Sequence, residues 1–364
     1  MARMRTNFVI GLLVLITVVS LSGQTAPQTG QTVPRTAAPQ AAAPGRSDAA
    51  SAPRSTWTRK TPWGDPDLQG IWNNGTTTPM ERPATLGDRT TLSEEEFEAR
   101  QKADAIRAQG ETEEDRRNGR GVGAGPTFWY ENGRTSRSTS LVVDPPDGRL
   151  PAVTPRVREY LAARRQKLSA LPLDSTLWVT QGQWTRCITR GVPGTIPTVY
   201  NNNYQIVQAP GYVVLYSEMI HTARIIPTNG QPHVSPLVQQ WNGDSRGHWE
   251  GQTLVVETTN LRPESEWNRS AVLMGTDAKV TERFTRLSAT DMDYRFTVNA
   301  PAAFTGPFTL SIPMSTADAP KRIMEYACVE ADHSVYLTVT GYLAHKAGKT
   351  KGPIPIGGEF PGLK

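Results

Sequence analysis

Residues 200–260 read YNNNYQIVQAPGYVVLYSEMIHTARIIPTNGQPHVSPLVQQWNGDSRGHWEGQTLVVETTN. From Tyr204 onward β-branched and aromatic residues come in short runs with a period of two, the spacing of a half-buried strand. The links between the runs carry turn formers: Ala209-Pro210-Gly211 and Glu250-Gly251-Gln252. Three of the five histidines (His221, His233, His248) and two of the nine tryptophans (Trp241, Trp249) also fall here. Any site is expected in this stretch.

Working outward, the period predicts strands at 204–208, 212–217, 221–226, 254–259, 279–287, 292–298, 308–314 and 323–329. No amphipathic helix separates them, so a parallel sheet is disfavoured. The fold expected is mainly β, an antiparallel up-and-down barrel or a sandwich with two peripheral helices. Gly70-Ile71-Trp72 matches the Gly-x-Trp of the first strand in lipocalin-like barrels, where the Trp plugs one end. It reads equally as a plain buried Trp. About eight strands enclose room for one small ligand.

Upstream, Ser93 with Glu96 three residues on forms a capping box, and Leu92 can staple Phe97, which starts a solvated surface helix over 92–109. Thr154 with Pro155 starts a second helix. The glycine-rich run 119–125 is followed by Pro126 and aromatics rather than a helix, so it reads as a loop and not a phosphate cradle.

The first residues carry Arg3 and Arg5 ahead of an apolar run from Phe8 to Leu21, the pattern of a signal peptide over 1–23, with an uncleaved anchor as the alternative. Residues 24–56 are rich in Pro, Ala, Gln and Thr and read as a disordered linker. Arg3, Arg5, Arg35, Arg46 and Arg54 against Asp48 hold four of the five net positive charges, which leaves about +1 for the remainder. The basic character therefore belongs to the leader, and no nucleic-acid partner is expected. The organisation continues with an N-terminal arm over 57–170 that carries both helices, a β-domain over 171–345 and a tail over 346–364. The protein is expected to be exported, periplasmic or secreted, with no stable membrane insertion. In that compartment Cys187 and Cys328 read most simply as one disulfide, with two buried thiols as the alternative.

The candidate catalytic groups are Glu218, His221, Arg224, Asp244 and Arg246. A tight turn near Met219-Ile220 would bring Glu218 beside His221, and a carboxylate there would raise the basicity of the ring. Arg224 or Arg246 would then stabilise an anion. Asp244 and Arg246 are placed at a loop tip, where they clamp a carboxylate or cap the loop backbone. Tyr204, Tyr216, Trp241, His248, Trp249 and Glu257 are candidate ligand contacts. The three histidines lack compact ligand spacing, and no metal or cofactor is expected.

Several strings together carry a resemblance: YNNNYQIVQ (200–208), EMIHTARIIP (218–227), WNGDSRGHWEGQTLVVET (241–258) and ERFTR (282–286). Over roughly residues 63–330 the chain resembles a large family of exported bacterial proteins. The resemblance implies a location and not a reaction. Thr222 departs from the pattern, which leads us to expect an acidic residue there. The function expected is binding of a small, partly apolar organic ligand in a β-barrel cavity. A cofactor-independent acid–base enzyme (isomerase, lyase or hydrolase) is the first alternative. A structural envelope protein is the second, favoured if side chains fill the barrel. The oligomeric state is open.

Overall fold

Alternation of apolar and polar positions builds the wall of this protein. The computed structural model describes residues 55–108, 131, 133–170, 182–184, 186–198, 200–268, 270–328, 343–344 and 347–349. The leader, most of the linker, the 119–125 run and most of the tail lie outside the described residues.

Among the described residues, twelve strands and two α-helices follow in chain order. They are β1 Gly70–Asn73, α1 Glu94–Ala108, β2 Val142–Asp144, α2 Pro155–Ala170, β3 Asn203–Ala209, β4 Tyr212–Ser217, β5 Ala223–Pro227 and β6 Asp244–Glu250. Then come β7 Thr253–Thr259, β8 Glu266–Trp267, β9 Val272–Leu273, β10 Lys279–Arg286, β11 Asp291–Asn299 and β12 Phe308–Ser315. Nine strands form one antiparallel, nearly closed barrel in the order β5-β4-β3-β1-β12-β11-β10-β7-β6, with β2 beside β12. The hairpin turns are short because the register leaves two residues between strands: Ala209 faces Tyr212, and Glu250 faces Thr253. Gly211 and Gly251 take the positive φ these turns need.

The two ends of the sheet order, β5 and β6, meet through side chains. A Cβ at Gly247 of β6 would lie 2.9 Å from Thr228 and 3.0 Å from Ile226, so only glycine lets the seam come this close.

The inward set of β10 to β12 reads Val280, Phe284, Met292, Tyr294, Phe296, Val298, Phe308, Leu310, Ile312 and Met314, all buried. Arg286 stacks on Trp57 and Trp72, 3.9 and 4.9 Å from the ring centroids, and donates to the Asp67 and Gln69 carbonyls. Trp72 is fully buried beneath Arg286, and its Nε1–H donates to the Leu68 carbonyl at 3.0 Å. Fully buried Trp72, Tyr204, Phe284, Tyr294, Phe296 and Phe308 take up the interior where a ligand cavity was expected. Large aromatics decide this. A barrel of this size holds either side chains or one small ligand.

Around the barrel, α1 starts as its sequence requires. Ser93 N–H donates to Glu96 at 2.9 Å, and Glu96 N–H donates to Ser93 Oγ at 3.2 Å. The Cys187–Cys328 disulfide is formed, with 5.9 Å between Cα atoms across 141 residues. The loop-entropy model values such a bridge at about 4–5 kcal/mol.

Three strand expectations need correction. Residues 244–250 form β6 rather than loop tips, because pairing with β7 outweighs the turn-rich composition. His221 lies in a 3-10 turn, Met219–His221, with β5 starting at Ala223. Residues 323–328 form no strand and lie near Glu218, where Met324 N–H reaches its carboxylate at 3.3 Å. No described helix is long and apolar enough to cross a membrane.

Candidate functional site

The inward alternation of β5, β6, β7 and β10 brings polar side chains together toward one end of the barrel. Arg224 shares its inward face with Ile226, and Glu282 shares its own with Val280 and Phe284. They meet across the interior as a two-pronged pair, Nη1 to Oε1 at 3.0 Å and Nη2 to Oε2 at 2.5 Å. Nη2 also donates to Ser245 Oγ and Thr258 Oγ1, each at 3.1 Å. The Tyr294 hydroxyl donates to Glu282 at 2.8 Å and accepts from Thr195 at 2.7 Å.

Electrostatics follow from this burial. Burial works against charge on Arg224, but Glu282 beside it more than offsets that, so the guanidinium holds its proton more tightly than usual. Burial, and then the charge of Glu282, push the Tyr294 hydroxyl well above the ordinary tyrosine range, so it remains a donor. Burial likewise raises Tyr204.

A loop over residues 186–198 covers this end. Gly191 and Gly194 take φ of 81° and 71°, and a Cβ at Gly194 would sit 2.7 Å from the Gly191 carbonyl. The tight loop carries Arg190 inward, where it is only 9 % exposed. Its Nη2 donates to the Ile196 carbonyl at 2.9 Å, while its buried Nη1 has no partner among the described residues. Arg224 Nε is buried and unpartnered in the same way. Both arginines line one cavity of about 20 Å³, with Pro193, Tyr204, Leu215 and Met219 on its walls. That volume holds about one water. Positive φ at Cys187, Ile220 and His221 places strained backbone in the loops at this mouth. Strain of this kind concentrates at functional sites.

The other expected residues are scattered. Glu218 is buried, and its carboxylate accepts Asn203 Nδ2 at 2.7 Å and Met324 N–H. His221 is exposed and meets Glu218 only through backbone, His221 N–H to Glu218 O at 3.0 Å. The expected Glu218–His221 base is therefore not assembled: the 3-10 turn forms, but it turns the ring outward.

Asp244 and Arg246 do pair, at 2.8 Å, and His233 joins Asp244 at 2.7 Å. Asp244 also accepts Val234 N–H at 3.2 Å, and Arg246 donates to the Pro232 carbonyl at 2.9 Å. This cluster ties down the 230–240 loop, away from Arg224. Tyr216, His248 and Glu257 lie on the outer face; His248 meets Glu250 and Glu257 meets Lys279. Trp241 stacks under Arg262, 4.7 Å from its ring. Trp249 packs against the core with a buried, unpartnered Nε1. Of the expected contacts, Tyr204 and Arg224 reach the mouth.

Arg190, Thr195, Glu282 and Tyr294 were missed. A charge at Glu282, in phase with Val280 and Phe284, was the available signal; Arg190 left none beyond its glycine neighbours. Among the described residues no group of three His, Cys, Asp or Glu is placed to hold a metal ion. Comparison with family models, with curated protein sequences and with solved structures found no match for this chain.

Proposed function

We propose that this is an exported protein that binds a small, partly apolar organic anion at the mouth of its barrel, beneath the 186–198 loop. One observation carries the reading: two buried guanidinium groups, Arg190 and Arg224, each keep an unpartnered N–H and line the same cavity. A buried donor left without a partner costs about 1–3 kcal/mol, more when it is charged. A carboxylate oxygen in the 20 Å³ cavity would satisfy both groups. Room for the apolar remainder of the ligand would come from displacement of the 186–198 loop, because Pro193, Leu215 and Met219 on the cavity wall are buried. Arg224 is already neutralised by Glu282, so Arg190 supplies the charge that attracts the ligand. Export draws on the leader pattern and agrees with the disulfide.

Benzoate and acetate are suitable probes. Each should raise the melting temperature of the wild type, benzoate more strongly, and saturation near 100 times Kd corresponds to about 2.7 kcal/mol. Arg190→Gln should abolish the shift. If neither carboxylate moves the wild-type melting temperature, the reading fails.

The filled interior favours a second reading, a structural envelope protein. Under that reading Arg190→Gln would change stability without any ligand effect to lose.

A further inference from the structure

A second concavity lies outside the barrel wall, between α2 and the segment that follows β9. Its volume is about 390 Å³, and it is lined by Arg156, Val157, Tyr160, Leu273, Asp277 and Ala302 among others. Small-molecule sites generally fall between about 300 and 1,000 Å³ and combine an apolar floor with a few polar groups. Val157 is buried on the floor, and Leu273 is half-buried beside it. Tyr160 is exposed, so its ring offers an open wall with a hydroxyl.

The charges on the rim are unusual. Most carboxylates on the outer face of the barrel already have a cation: Glu250 has Arg283, Glu257 has Lys279 and Asp293 has Arg295. Arg156 and Asp277 line one groove with opposite charges, yet neither has an ion pair or a side-chain hydrogen bond among the described residues. The glycine in the turn explains how Asp277 is placed. Gly275 has φ of 86°, and a Cβ there would come within 2.8 Å of Asp277 Oδ1 and 3.0 Å of the Ala302 Cβ. The absence of that Cβ lets the carboxylate and the apolar wall stand together at the groove.

We infer that this groove is a binding site for a small zwitterion of the α-amino-acid class with an apolar side chain. The ammonium group faces Asp277, the carboxylate faces Arg156, and the side chain lies on Val157 and Leu273. Each rim charge is solvent-exposed, so each contact is worth about 1 kcal/mol or less and the affinity sits in the millimolar range. The site is independent of the anion reading at the mouth, since the two share no residue.

L-phenylalanine, 3-phenylpropionate and phenethylamine separate the three contributions, measured by saturation-transfer NMR on the full chain. The expected result is binding of L-phenylalanine, with each singly charged analogue several-fold weaker. Asp277→Asn should weaken L-phenylalanine while leaving 3-phenylpropionate unchanged; Arg156→Gln should do the converse with phenethylamine. Leu273→Trp fills the groove and should abolish binding of L-phenylalanine and phenethylamine, together with the share of 3-phenylpropionate binding that survives Arg190→Gln. Arg190→Gln should leave L-phenylalanine and phenethylamine untouched, so failure at the mouth does not count against the groove. Absence of L-phenylalanine binding at millimolar concentration overturns the inference, as does equal binding of the amine, or of the acid in the Arg190→Gln variant. Indifference of L-phenylalanine binding to Leu273→Trp overturns it as well.

Discussion

Two arginine–carboxylate clusters come from neighbouring parts of the chain and meet different fates. In the barrel, Arg224 and Glu282 pair with side chains only 8 % and 0 % exposed, braced by Ser245, Thr258 and Tyr294. At the 230–240 loop, Arg246, His233 and Asp244 pair at 18 %, 27 % and 7 % exposure, braced by backbone. The first cluster spans 58 residues of sequence and is shut off from bulk solvent. The second spans about a dozen residues and borders solvent. Identical chemistry therefore fixes the barrel interior in one place and pins a loop in the other. What differs is the penalty for failure: a lone buried charge is expensive, while a lone surface charge is hydrated.

That contrast can be broken most forcefully at Glu282. Glu282→Leu strands the Arg224 guanidinium and should cost about 3–5 kcal/mol in denaturant unfolding. The double variant Arg224→Met/Glu282→Leu should recover most of this, because two apolar groups need no partners. A single variant that unfolds within about 1 kcal/mol of wild type would show that the pair is not desolvated.

A smaller effect is expected at the loop. Asp244→Ala removes the shared acceptor of Arg246, His233 and the Val234 amide, and should cost about 1–3 kcal/mol. Faster backbone hydrogen exchange confined to residues 230–240 should accompany it. If exchange rises across the whole barrel instead, the cluster is not local.

The smallest effect should come from Glu96, an exposed charge at the start of α1. Its hydrogen bond from Arg89, joined by the Ser93 amide, lowers its pKa to about 2. A carboxyl depressed on folding stabilises the native state at pH values above its unfolded pKa, near 4.5, and that contribution fades as pH falls through about 2. Glu96→Gln should therefore lower the melting temperature slightly at neutral pH and by much less near pH 2. A difference that persists unchanged at pH 2 would place the effect in packing rather than charge.

How much of this was legible beforehand depended on distance along the chain. The Ser93–Glu96 capping box is written within four residues, and α1 begins there as expected. The hairpin from Asn203 to Ser217 is equally local, with alternation on either side of Pro210-Gly211. β6 was missed because Asp244, Gly247 and Glu250 weaken its strand signal. Gly247 is there for the seam with β5, a contact no local window contains. The expected Glu218–His221 pair failed for a related reason. The turn was anticipated, but Asn203 and Met324 captured the carboxylate, and both are distant in sequence.

By itself, then, the sequence determined most of the strands, their antiparallel pairing and the helix starts, and it favoured a disulfide between its two cysteines. These rest on periodicity, caps and turn residues, all set by short-range sterics and hydrogen bonding. Tertiary structure alone decided that aromatic side chains fill the barrel and that Arg224 belongs to Glu282. It also decided that Arg190 reaches the mouth with a donor unspent, and that Arg156 and Asp277 line one groove. Those outcomes depend on which inward positions meet once the sheet curls closed, and burial sets the energy of each meeting.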